Sequence, residues 1–202
     1  MMRRLLVVLS SLSLVVVMGC APEGMKEEKR VKSAGNPVVI IDTSKGTIKA
    51  ELWPDKSPGT VSNFLTYVDE KFFDGLIFHR VISGFMIQGG GFTSAMSQKN
   101  TTHPPIKNEA SGDAPNKRGT LAMARTPAVD SATAQFFINL VDNGFLDHRN
   151  DTAQGFGYCV FGRVTEGMDV VDAIGNVETG NKAGFDDVPV DAVTIKTVRR
   201  AP

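Results

Sequence analysis

Between Val38 and Trp53 the chain reads VVIIDTSKGTIKAELW, two apolar runs on either side of Ser44, Lys45 and Gly46, and that arrangement predicts a β-hairpin. The period then changes. Val61, Phe64, Leu65, Val68 and Phe72 recur at intervals of three, four, three and four, which is one apolar stripe of a helix. Ser57 followed by Pro58 supplies an N-cap and a first helical residue. A second, short helix is predicted over GMDVVDAIGNV, where Met168, Val171 and Ile174 recur every three residues and Gly175 can end it. Further apolar runs at residues 77–82, 85–89, 120–124, 135–140, 158–164 and 192–198 predict strands, with a long Gly-, Pro- and Asn-rich excursion from Gly90 to Gly119. The expected fold class is mainly β: a closed eight-stranded antiparallel β-barrel with two capping α-helices, since closure removes exposed sheet edges.

The first twenty residues follow another pattern. MMRRLLVVLSSLSLVVVMGC has a basic start at Arg3 and Arg4, an apolar core from Leu5 to Val17 and small Gly19 before Cys20. An apolar stretch this short fits a secretory signal better than a stable transmembrane helix. Val17-Met18-Gly19-Cys20 resembles the bacterial lipobox, which implies lipidation of Cys20 and cleavage before it; the alternative is an ordinary signal peptide cut nearby, which would give a freely soluble exported protein. The expected organisation is therefore a lipoprotein signal peptide over 1–19, a lipidated Cys and flexible tether over 20–36, and one domain over 37–202. The tether reading rests on APEGMKEEKRVKSAGN, which is polar and lacks an apolar period. An exported cell-envelope lipoprotein, held to a membrane at Cys20, is the expectation. In a cell with two membranes, Ala21 rather than Asp after the Cys favours the outer membrane and the periplasmic side.

Composition narrows the function. The 202 residues carry 22 basic and 22 acidic side chains, so charge gives no reason to expect a nucleic-acid partner. Cys159 has no partner once Cys20 is lipidated and, inside the apolar YCVFG, reads as a small core residue. His79, His103 and His148 have no metal-ligand spacing, and neither a Gly-x-Ser-x-Gly elbow nor a phosphate-binding loop occurs. No metal and no cofactor is expected. QGGGF reads as close backbone packing or a bend. What remains is a cation, an amide and many apolar side chains, an inventory suited to a reaction that makes and breaks no covalent bond.

The cation is Arg80, set in LIFHRVISGFMIQGGGF among residues that otherwise read as buried strands. A permanent charge there is either paired structurally or aimed at something that comes and goes. Phe73 to Gly90, FDGLIFHRVISGFMIQGG, resembles the signature of the cyclophilin family of peptidyl-prolyl isomerases. The similarity continues through GTLAMAR, SATAQFFIN, FLD and YCVFGRVTEGMDVVD, covering about residues 37 to 200, and MART with FINLVDNGFLDH is most similar to bacterial exported members. The resemblance implies isomerisation of X-Pro bonds in proline-containing polypeptides by a monomer. It implies Arg80 as the donor to the twisting amide nitrogen and Gln88 as holder of the substrate backbone. It implies an apolar pocket of Phe85, Met86, Phe137 and Leu146, with His79 and Gln135 on its wall and the backbone of Ala124 and Arg125 beside it. Phe78 reads as core.

Some positions depart from the family pattern. Phe145 stands where well-known eukaryotic members carry Trp, so weak cyclosporin binding is expected, and Tyr158 stands where they carry His. Arg125 replaces a common Asn and adds charge at the groove. Two rival readings remain at this point: a non-catalytic, membrane-tethered binding module or holdase for proline-containing segments, and a purely structural lipoprotein.

Overall fold

In the computed structural model, which describes residues 35–202, the hairpin predicted at the start of the domain is formed by β1 (Val38–Thr43) and β2 (Gly46–Leu52). The predicted signal segment, Cys20 and nearly all of the tether lie outside the described residues. The other barrel strands are β3 (Ile77–Ile82), β4 (Met86–Phe92), β5 (Thr120–Met123), β6 (Phe136–Asn139), β7 (Val160–Glu166) and β10 (Val193–Arg200). They close in the order β1-β10-β3-β4-β6-β5-β7-β2, every pair antiparallel. The expected eight-stranded barrel is therefore present. Among the described residues no helix is long and apolar enough to cross a membrane.

Alternation along the strands fills the barrel. Ile41, Ile48, Leu52, Phe78, Ile87, Leu121, Phe136, Ile138, Phe161 and Ile195 belong to one buried cluster. Helix α1 (Pro58–Asp69) adds Val61, Phe64, Leu65 and Val68 from the predicted stripe, and Phe64 meets Phe136 edge-on with centroids 5.5 Å apart. Phe72 belongs to the same cluster but lies beyond the helix end, in the turn that follows. Helix α2 (Met168–Gly175) starts and ends as its spacing predicts, contributing Val171 and Ile174.

Three local differences from expectation matter. Ser57 does not cap α1 with its side chain; its hydroxyl donates instead to the Val160 carbonyl at 2.8 Å. The cap comes from Glu109 in the long excursion, whose carboxylate accepts from Gly59 N–H at 3.0 Å and from Thr60 N–H at 2.8 Å. A second hairpin, β8 (Thr179–Lys182) with β9 (Phe185–Pro189), lies outside the barrel sheet where its polar sequence predicts only loop. A 3₁₀ turn at Gly144–Leu146 was likewise not expected from the pattern.

Bulges shape one face. On β3, Phe78 pairs with Gly89 and Arg80 with Gln88, so two steps on β3 answer one on β4. The extra residue breaks alternation: Phe78 and Val81 point into the main cluster, while both His79 and Arg80 stay outside it. Across from this, Gly90 has φ +83°, and a Cβ on Gly91 would stand 2.5 Å from the Gln135 side chain. The bend and close packing read from QGGGF are both there.

Candidate active site

A groove open to solvent runs over the outer face of β3, β4 and β6. Arg80 and Gln88 face each other across paired strands at its edge. Its apolar floor is Met86, Phe137 and Phe85, and its far wall is Leu146, Ala124 and Tyr158, with Arg125 beyond. Ala122, Ala114, Val160, Trp53 and Ile82 back that floor as a cluster separate from the barrel core.

Each wall is held by the local fold. Phe85 sits in the turn ahead of β4, and its carbonyl accepts from Leu140 N–H at 2.9 Å and from Asn143 Nδ2 at 2.9 Å. Asn143 in turn donates to Asn139 Oδ1 at 2.8 Å, tying the turn to β6. The 3₁₀ turn delivers Leu146, whose carbonyl accepts from Tyr158 N–H at 2.9 Å. The Tyr158 ring meets Phe137 edge-on at 5.7 Å. Gln135 donates nothing to the floor; its Oε1 accepts from Gln88 Nε2 at 3.0 Å and so orients that amide.

Three of the residues singled out in the sequence lie outside the groove lining: Gln135, expected on the wall, stands behind Gln88, and His79 and Phe145 are displaced in other ways. His79, with its neighbour Arg80 taking the groove side of the bulge, is buried against Phe92, ring centroids 4.5 Å apart, in the neighbourhood of Ile77, Met96 and Val188. Its Nδ1 has no hydrogen-bond partner among the described residues. Burial, helped by the Arg80 charge, pushes its pKa down to about 4, so the ring is neutral at physiological pH. Phe145 stands at the rim, 61% exposed, stacked on Phe85 at 5.5 Å. Cys159 is buried and free, its thiol pKa raised by burial, which is the behaviour of a core residue.

The charges differ in their pairing. Arg80 is 44% exposed in its side chain, and its Nε lies 3.6 Å from Asp187 Oδ2 on β9. Among the described residues no protein hydrogen bond engages either of its terminal nitrogens, which leaves Nη1 and Nη2 available at the groove. Asp187 adopts φ +59°, a left-handed conformation that Asp tolerates better than most side chains. Neither this partner nor the capping role of Glu109 could be read from the sequence, because both arrive from loops with no period. The only signal was compositional, the acidic pair in GFDDVP.

The family described as "Cyclophilin type peptidyl-prolyl cis-trans isomerase/CLD" matches residues 38–200. The chain is 55% identical over 161 residues to peptidyl-prolyl cis-trans isomerase B of Escherichia coli, covering 80% of this chain and 98% of that protein. It is 56% identical over 161 residues to a peptidyl-prolyl cis-trans isomerase of Streptomyces antibioticus, covering 80% and 96%. In three dimensions it is similar to a cyclophilin type isomerase of Cryptosporidium parvum, with a TM-score of 0.68 at 24% identity over 83% of this chain and 98% of the other.

Proposed function

The chain belongs to the cyclophilin-type peptidyl-prolyl cis-trans isomerases, and we propose that Arg80 is the group through which it accelerates rotation about X-Pro bonds. The observation that carries this is the placement of one guanidinium, its terminal nitrogens unengaged, at the edge of an apolar groove floored by Met86, Phe85 and Phe137.

The chemistry follows from the amide. Cis and trans X-Pro bonds differ by only about 0.5–1 kcal/mol, yet exchange takes roughly tens to hundreds of seconds unaided. Resonance sets the obstacle, with a rotation barrier of about 18–20 kcal/mol. At the top of that barrier the prolyl nitrogen has regained a localised lone pair. A donor aimed at it binds the twisted state better than either planar one, which is the condition for catalysis. The floor takes the proline ring out of water, Gln88 holds the neighbouring backbone, and Asp187 draws on Nε while Nη1 and Nη2 meet the substrate. The partly dry groove strengthens that contact relative to water.

Arg80→Ala is expected to lower kcat/KM for an Ala-Pro-Phe peptide by about 10²- to 10³-fold, the usual cost of removing one preorganised donor, with peptide-induced NMR shifts retained. Unchanged exchange catalysis in the variant would remove Arg80 from the mechanism. Binding of the peptide by both proteins without accelerated exchange would favour a holdase.

The setting of this activity is part of the same reading. Arg3, Arg4, the apolar run 5–17 and Cys20 support an exported isomerase held to a membrane by lipid and acting on the folding of exported proteins. Proline-containing segments of such proteins are its substrates.

A further inference from the structure

The groove does not end at Tyr158. Arg125 and Tyr158 form a ridge shared with a second, open depression lined otherwise by Thr126, Pro127, Ala153 and Gln154. Arg125 is the only charged residue on that lining. Its guanidinium is held rigidly for a surface side chain. Nε donates to Gly157 O at 3.0 Å, Nη1 to Thr126 O at 3.0 Å and Pro127 O at 3.3 Å, and Nη2 to Ala153 O at 3.2 Å. Its carbon lies 4.9 Å over the Tyr158 ring. Carbonyls satisfy four of the five N–H donors a guanidinium carries, but they carry no formal charge to cancel the cation.

No carboxylate does so either. Among the described residues none lies within 4 Å of Arg125, whereas Arg80 has Asp187. Of the acids in the adjoining segments, Asp130 accepts from Asn108 N–H, Glu109 caps α1, and Asp151, 93% exposed, lies 3.7 Å from His148 Nε2. Lys107, which shares a small cavity with Arg125, adds charge of the same sign. The peptide-binding face thus carries one fixed, half-buried, uncompensated cation one step along from the proline pocket.

We infer that Arg125 is a specificity-determining residue that selects polypeptides with an acidic side chain close to the proline. This rests on the isomerase reading of the groove. A cation already immobilised loses little freedom on pairing, so more of the attraction reaches the binding free energy than with a free side chain. Lys or Arg at the same substrate position meets like charge. The selection acts on binding, hence on KM, since the charge does not change as the amide twists.

The test uses the full-length protein and capped pentapeptides centred on Ala-Pro, with Glu, Gln or Lys placed at one flanking position at a time. At one or more positions Glu is expected to exceed Gln in kcat/KM by about two- to fivefold, the range of a partly exposed ion pair, with Lys below Gln and the difference carried by KM. At about 1 M salt, where the Debye length is about 3 Å, the preference should shrink toward one. Arg125→Gln should abolish the Glu preference and Arg125→Lys should keep part of it. The salt series on the unaltered protein decides the matter should Arg125→Gln disturb the loop. Equal rates for Glu, Gln and Lys at every position, or a preference that survives in a folded Arg125→Gln, would overturn the inference and leave the isomerase standing. No catalysis on any peptide would overturn both.

Discussion

Burial leaves His79 a neutral imidazole behind the groove, with one unpartnered nitrogen and a pKa of about 4. The unfolded chain, titrating near the ordinary value of about 6.5, takes up a proton in this interval that the folded chain refuses. The stability this group contributes is therefore complete above pH 6.5 and is lost as pH falls toward 4, by on the order of 3 kcal/mol in all. Urea unfolding at pH 7 and pH 4.5 should show that loss, and His79→Leu should reduce it. An equal decline in the variant would mean that carboxylates, not His79, set the acid limit. At this scale the motif Phe78-His79-Arg80 is plain in the sequence, but the opposite fates of its last two residues are not. Alternation alone would turn His79 and Arg80 to different faces; the bulge keeps both outside the barrel and gives only Arg80 to the groove.

Helix α1 shows how an element can be legible while its ends are not. Its apolar stripe and Pro58 identify it, and the buried Val61, Phe64, Leu65 and Val68 follow from spacing. Ser57 reads as the cap, yet the unsatisfied N–H groups of Gly59 and Thr60 are answered by Glu109, fifty residues away from Gly59 in the chain. A carboxylate at that end also meets the positive pole of the helix. Glu109→Ala is expected to destabilise the protein by about 1–2 kcal/mol, the upper part of the range for losing a cap, read as a lower urea midpoint at an unchanged slope. A change smaller than the error of the measurement would show that water replaces the carboxylate without penalty. The β8–β9 hairpin escaped prediction because its burial is lopsided. β8 is exposed throughout and only Val188 and Pro189 of β9 are buried, so no period-two pattern marks it, although Asp187 reaches Arg80 from there.

For the molecule as a whole, closure of the barrel depends on close approach as much as on apolar content. A Cβ on Gly162 would stand 2.5 Å from the Glu51 carbonyl oxygen, where β7 crosses β2. The lipid-anchored reading belongs to this scale too. In a bacterial host the full-length protein should incorporate labelled fatty acid and partition with membranes, and Cys20→Ser should abolish the label and release the protein. An unlabelled, freely soluble product from the unaltered chain would leave the isomerase exported without an anchor, or not exported at all.

The sequence by itself determined the eight barrel strand runs, both helices, the barrel class and the family motif, because each is carried by short-range periodicity or by residues adjacent in the chain. It also contained the groove's apolar floor and the pair Arg80 and Gln88. Tertiary structure alone decided which charges are paired, which ends are capped and which side of a strand a residue takes. Asp187 on Arg80, Glu109 on α1 and four carbonyls on Arg125 are contacts between distant or irregular segments, and the bulge at His79 is set by pairing with β4. Such contacts depend on where closure of the barrel brings loops together, and no local period records that.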